Sequence, residues 1–201
     1  LAFNTTGQYN IAQGRGSLYC NTTGVYNVAI GRSALYENKS GRDNIGIGHR
    51  SLSNSSSPKP NIAIGSYSLR FNTRGYDNVA IGQSAGNYVT TGSLNVMVGF
   101  GAMYYGGVGS KNVAIGHSSS YNMNTGCGNT SVGFYTGFNL TSGMNNTIVG
   151  YCSFTSSNTG SANTILGSNN LTTGGYNPTH MIALGTNIQQ NGNYSYSAAI
   201  G

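Results

Sequence analysis

Charge is what this chain has least of: 6% of its 201 residues are Asp, Glu, Lys or Arg, and only Glu37, Asp43 and Asp77 are acidic. Three scattered acids nearly exclude the carboxylate pair of a glycoside hydrolase, and a calcium-binding β-roll would need a recurrent Asp in each turn. His49, His117 and His180 have no Glu or Cys beside them at metal-ligand spacing. The cysteines, Cys20, Cys127 and Cys152, share no metal spacing either, and their odd number leaves at least one unpaired within the chain. They read as small buried hydrophobes. Nothing meets the requirements of a catalytic centre, so no catalytic, cofactor-binding or metal-binding residue is expected.

Long apolar runs are missing too. Val79-Ala80-Ile81 is typical of the longest, far short of the roughly 20 residues that span a bilayer, so no insertion into a membrane is expected of this segment. No basic stretch followed by an apolar one opens the chain, so no signal peptide is visible. Proline is rare, at three residues, while the apolar share is 37%; disorder usually combines low hydrophobicity with high net charge or proline. The chain should therefore be ordered. What it has in quantity is Gly (32 residues), Tyr (15), Asn, Ser and Thr, a composition suited to strands and turns rather than helices.

The order comes from a repeat. An Asn followed by apolar, small, apolar and Gly recurs at every seventeenth place, with the Asn at Asn10, Asn27, Asn44, Asn61, Asn78, Asn95, Asn112, Asn129, Asn146 and Asn163. The matching glycines are Gly14, Gly31, Gly48, Gly65, Gly82, Gly99, Gly116, Gly133, Gly150 and Gly167. Val or Ile stands one place after the Asn in seven units, and an aliphatic residue stands at the third place in nine. These positions share one face of a short strand. Pairs such as Ser17-Leu18, Ala34-Leu35 and Ser68-Leu69 suggest a second inward strand, and a turn glycine lies fourteen places after the Asn in eight units of ten.

A unit this short cannot bury its own apolar face, so the units must stack as a solenoid. The expectation is an all-β, parallel β-solenoid, a β-roll of about twelve coils with two inward strands each, roughly 55–60 Å long at about 4.8 Å per coil. The asparagines would form an amide ladder along the axis, and the glycines would supply backbone conformations that a Cβ forbids. The whole of 1–201 reads as one segment of a longer fibre, with irregular coils at about 168–201. There the motif glycine steps by eighteen places to Gly185 and then by sixteen to Gly201, which suggests a bulge around Asn177-Pro178.

Asn-Val-Ala-Ile-Gly at 27–31, 78–82 and 112–116, with Asn-Ile-Ala-Ile-Gly at 61–65, resembles the head repeats of YadA-like trimeric autotransporter adhesins. The longer unit, as in Leu18-Tyr19-Cys20-Asn21-Thr22-Thr23-Gly24-Val25-Tyr26-Asn27, is similar to repeats in bacteriophage and large-virus tail fibres. Either resemblance implies a homotrimeric fibre for cell adhesion or host attachment, extracellular, on a bacterial cell surface or a virion. It implies a surface receptor as partner, a glycan among the candidates. The small residues two places after the Asn (Ala12, Ala29, Gly46, Ala63, Ala80, Ala114 and Ser131) lie on the face opposite Val and Ile. They are read as the face that packs against neighbouring chains, with simple turn geometry as the alternative.

Eight of the nine basic residues fall within the first 74 positions, and Arg15, Arg32 and His49 follow the motif glycine in consecutive coils, with Arg50 beside them. This basic column reads either as an anion or acidic-glycan contact or as a solvated edge that discourages side-on aggregation. Nucleic acid is not expected, because the charge of +6 is diffuse and no stacking aromatics are arranged around it. An ice- or crystal-binding solenoid would show a flat column of Thr, whereas Thr22, Thr73 and Thr125 do not hold one place. Tyr19, Tyr36, Tyr104 and Tyr121 do hold one, nine places after the Asn, and are read as an edge of the core with wet hydroxyls.

Overall fold

The computed structural model describes residues 1–171, 176–189, 192, 193 and 195–201. Twelve short strands form one sheet in chain order, every neighbouring pair parallel. They are β1 (Ile11–Gln13), β2 (Val28–Ile30), β3 (Ile45–Ile47), β4 (Asn61–Ile64), β5 (Asn78–Ile81), β6 (Val96–Val98), β7 (Val113–Ile115), β8 (Thr130–Phe134), β9 (Thr147–Tyr151), β10 (Thr164–Ser168), β11 (Ile182–Thr186) and β12 (Ala198–Ile200). No helix occurs among the described residues. Each coil climbs one strand and pairs like with like, as in Ile62↔Val79, Ala63↔Ala80 and Ile64↔Ile81. Eleven steps of about 4.8 Å place the first and last strands about 53 Å apart.

Two expectations need correction. A coil has one strand, not two: the segment after the motif glycine is a tight turn, closed by bonds such as Ser17 N–H to Gly14 O (3.3 Å) and Asn21 N–H to Leu18 O (3.3 Å). Its Leu18, Leu35, Leu52 and Leu69 still point inward, fully buried, but from left-handed backbone with φ of 45–50°. The strand faces are also reversed. Ala29, Ala63, Ala80 and Ala114 are fully buried, while the flanking Val and Ile are half-buried or exposed, up to 39% for Ile81. Where the turn supplies an inward Leu the strand residue packed on it is small, as at Gly46, where an added Cβ would stand 3.2 Å from Leu35 Cγ, so in these coils the methyl faces in and the larger residue faces out; β10 departs from this, with Ile165 itself fully buried.

The interior keeps its volume by exchange. Where the turn position holds Gly86, Ser120 or Gly137 in place of Leu, the large side chains come from Val89, Met97, Met123, Leu140 and Ile148 instead, all fully buried. A Cβ on Gly86 would stand 2.6 Å from Met97 Sδ, and one on Gly137 would stand 3.1 Å from Ile148 Cδ1. The methionine and isoleucine thus occupy the space that a leucine fills in earlier coils, as close packing demands.

The motif asparagines run beside this core. Asn27 donates its backbone N–H (2.9 Å) and Nδ2 (3.1 Å) to Asn10 Oδ1, and its other amide hydrogen goes to Gly41 O (2.8 Å). The pattern repeats from Asn61 through Asn163 and ends where Met181 N–H donates to Asn163 Oδ1 (2.9 Å). One side chain thereby satisfies groups of three coils. The motif glycines take φ between 116° and 143°, and a Cβ on Gly31 would stand 2.7 Å from Gly48 O. Only glycine suits both the angle and the approach.

At the C-terminal end the pairing steps by eighteen places from β10 to β11 (Thr164↔Ile182) and by sixteen from β11 to β12 (Ile182↔Ala198). The long step falls between Leu171 and Thr179; residues 172–175 within it, like 190, 191 and 194, lie outside the described residues. Asn177 adapts the joint. Its Oδ1 accepts the N–H groups of Asn158 (2.9 Å) and Thr159 (2.8 Å), a role that backbone carbonyls such as Asn158 O play for Thr141 and Ser142 one coil earlier.

Candidate functional site

Three surfaces could meet a partner. The first is the outward face of the sheet, where Ile30, Ile47, Ile64, Ile81, Val98, Ile115, Val132, Val149 and Leu166 form one aliphatic column. Ile81, Ile115, Val149 and Leu166 are 37–40% exposed. The Val and Ile that follow each Asn, from Val28 to Val113, form a second column on the same face. Small polar solvated residues are the ordinary occupants of such a face, and a strip of branched aliphatics along most of a molecule marks a contact surface.

The second surface carries rings. Tyr19 stacks on Tyr36 (5.1 Å, 3°), and Tyr104 stacks on Tyr121 (5.0 Å, 3°), which continues onto Phe138 (5.1 Å). A further ladder follows the motif glycines through Phe100, His117, Phe134 and Tyr151, at 5.0–5.3 Å per step. Burial first, then the hydroxyls of neighbouring tyrosines, push Tyr104 and Tyr121 above the usual tyrosine value. Along this side a groove of about 460 Å³ is lined by Tyr88, Tyr105, Asn122, Asn124, Asn139 and Thr141 among others.

The third surface is basic. Arg15, Arg32 and Arg50 are exposed and His49 is half-buried, and the coils are joined there by Ser33 N–H to Arg15 O (2.9 Å) and Arg50 N–H to Arg32 O (2.9 Å). Burial, then the charges of Arg32, Arg50 and Arg70, hold His49 below the usual histidine value. Arg70 thus belongs to this group, although it stands in a different place of the repeat and its position gave no sign of it. Its guanidinium lies 4.6 Å from the Phe71 ring centroid and 5.4 Å from that of Tyr67, and its Nε is buried without a hydrogen-bond partner. Arg50 and Arg70 line a cleft of about 390 Å³ together with Ser33, Tyr36, Glu37, Ser53 and Asn54.

The remaining candidate residues are distributed differently. Cys20, Cys127 and Cys152 are free and half-buried rather than buried. Among the described residues no three His, Cys, Asp or Glu side chains gather as a metal site, and no helix is long and apolar enough to cross a membrane. Thr22 and Thr73 do share one place, twelve after the Asn, with Thr90 and Thr141, but Lys39, Ser56, Gly107 and Asn124 interrupt the column. Their hydroxyls are taken up along the stack, as in Thr22 Oγ1 to Lys39 O (2.9 Å). Comparison with protein-family models, with curated proteins and with solved structures returns no match.

Proposed function

We propose that this chain is a rigid, self-associating fibre segment for adhesion or host attachment at a cell or virion surface, with three copies packed side by side and the remaining faces on display. The observation that carries this reading is the aliphatic column on the outward face of the sheet, from Ile30 to Leu166, with Ile81 39% exposed in the single chain. A second copy is the natural cover: it repeats the same side chains at the same spacing of about 4.8 Å, so each branched residue meets an equivalent one along the whole rod. The resemblance to trimeric adhesin and tail-fibre repeats supports three copies around one axis. Stacked coils give stiffness, and repetition multiplies a weak contact once per copy, since linked sites act at high effective concentration.

Sedimentation equilibrium tests this. The expected species is three times the 20.9 kDa chain, and replacing Ile64, Ile81 and Val98 by Thr should return a folded single chain. A stable monomer of the parent sequence at micromolar concentration would overturn it.

A further inference from the structure

The cleft at Arg50 and Arg70 has a definite origin in the repeat. Nine places after the motif Asn, successive coils carry Tyr19, Tyr36, Ser53, Arg70 and, further on, Tyr104, Tyr121 and Phe138. Tyr19 and Tyr36 stack face to face at 5.1 Å. The next rung is only a hydroxymethyl group, so the far face of Tyr36 has no ring upon it. Two coils on, Arg70 holds the same place of the repeat, its backbone about 9.6 Å from that of Tyr36 by the strand spacing, with its guanidinium against Phe71 (4.6 Å) and Tyr67 (5.4 Å). Tyr36, Ser53 and Arg70 share the lining of the cleft of about 390 Å³, large enough for one sugar ring.

The lining is rich in donors. Ser53 donates its hydroxyl to Asn54 Oδ1 (2.6 Å), which leaves the Asn54 Nδ2 hydrogens to point elsewhere. Arg50 is exposed, and Arg70 is held against Phe71 with a buried, unpartnered Nε. Glu37, in the same lining, is an acceptor. An aromatic face, two guanidiniums, an amide and one carboxylate match a sugar that carries an acid: the ring C–H face lies on tyrosine, the oxyanion meets Arg, and the hydroxyls reach amide and carboxylate.

We propose that the cleft between Tyr36 and Arg70 is a binding site for one acidic saccharide unit, carboxylated or sulfated, whose ring takes the place of the missing aromatic rung. This deepens the display reading by naming a ligand for the basic face, and it fails separately from it, since the mass of the assembly does not depend on the cleft.

The experiment is calorimetric titration of the full chain with 3′-sialyllactose, with 6′-sulfolactose and with lactose. One or both acidic sugars should bind at least tenfold more tightly than lactose, and which of them does so identifies the acid. Arg50→Ser and Arg70→Gln should each weaken that binding about tenfold, while Arg15→Ser, outside the cleft, should leave it unchanged. Ser53→Tyr is the sharpest variant: it restores the rung seen at Tyr19, Tyr36, Tyr104 and Tyr121, so the protein should keep its melting temperature and lose the sugar. Undiminished binding by Ser53→Tyr would overturn the proposal, as would an equal loss in Arg15→Ser, the mark of diffuse attraction. Inorganic phosphate competing as well as the sugars would also overturn it, because the ring would then contribute nothing. If none of these sugars binds while the chain still sediments as a trimer, the cleft assignment falls and the fibre reading stands.

Discussion

Asn44 Oδ1 is buried without a partner one coil before Asn61, the only step from Asn10 to Asn163 at which the amide-to-amide bond is missing. The cause lies in the sequence of the turn. The residue before each motif Asn takes left-handed backbone, as at Tyr26 (φ 58°), Asp43 (φ 58°) and Asp77 (φ 53°). Before Asn61 that residue is Pro60, whose ring holds φ near about −65°. The chain enters Asn61 at another angle, and neither its N–H nor its amide reaches Asn44.

Pro60→Asn should therefore close the ladder. Asn tolerates left-handed backbone, and two new hydrogen bonds of about 1 kcal/mol each outweigh the roughly 0.4–1 kcal/mol of unfolded-chain restriction lost with proline. The expected result is a net gain of about 1 kcal/mol, read as a higher urea midpoint with unchanged slope. A lower midpoint would show that the break has another cause.

The reversal of the strand faces makes a pair of neighbours behave oppositely. Ala80→Leu forces three extra carbons into a filled interior and should cost about 1–3 kcal/mol or more. Ile81→Thr, one residue on, should cost the isolated chain less than about 1 kcal/mol and instead weaken self-association. The opposite ranking, with Ile81→Thr costing several kcal/mol, would mean that isoleucine faces the interior. Urea titration of both variants at low protein concentration decides between them.

Much of the architecture was legible because the repeat states it: Asn and Gly recur at one spacing, and parallel pairing one repeat apart follows from stacking equal units. The inward face was not legible, since Val, Ala and Ile alternate between two kinds of apolar residue and alternation alone does not say which kind points in. Nor does the sequence mark Leu18 and its counterparts as turn residues, since a leucine at φ 45° is rare. Arg70 escaped notice for another reason. It lies nine places after its Asn whereas Arg15, Arg32 and His49 lie five after theirs, and only the folded turn brings the two columns together.

Asn112 tests the ladder from its middle. Its Oδ1 accepts from Asn129 N–H (2.9 Å) and Nδ2 (3.1 Å), and its own Nδ2 donates to Asn95 Oδ1 (3.2 Å) and Gly126 O (2.8 Å). Asn112→Ala strands several of these buried groups at once, at about 1–3 kcal/mol each with partial relief by water. A loss of about 3 kcal/mol is expected, whereas an exposed asparagine such as Asn124 should change stability by less than about 0.5 kcal/mol when replaced by Ala. Equal effects at the two sites would deny the ladder its structural role.

Alkaline pH should loosen the rod through its rings. Tyr104 and Tyr121 stack at 5.0 Å, and burial, followed by neighbouring tyrosines (Tyr88 first for Tyr104, Tyr105 first for Tyr121), raises both above the ordinary tyrosine value. A raised value means that the folded chain keeps a proton which the unfolded chain gives up. Below about pH 10, the ordinary value, both states are protonated and stability does not depend on these groups. As pH climbs from about 10 through the raised values, the unfolded state binds fewer protons and stability falls. Replacing Tyr104 and Tyr121 by Phe keeps the stacking area and removes the titration of these two groups alone. The urea midpoint of the double variant should therefore decline less than that of the parent between pH 9.5 and 11.5, values set in the experiment to bracket about 10. An identical decline would place the alkaline sensitivity elsewhere in the chain.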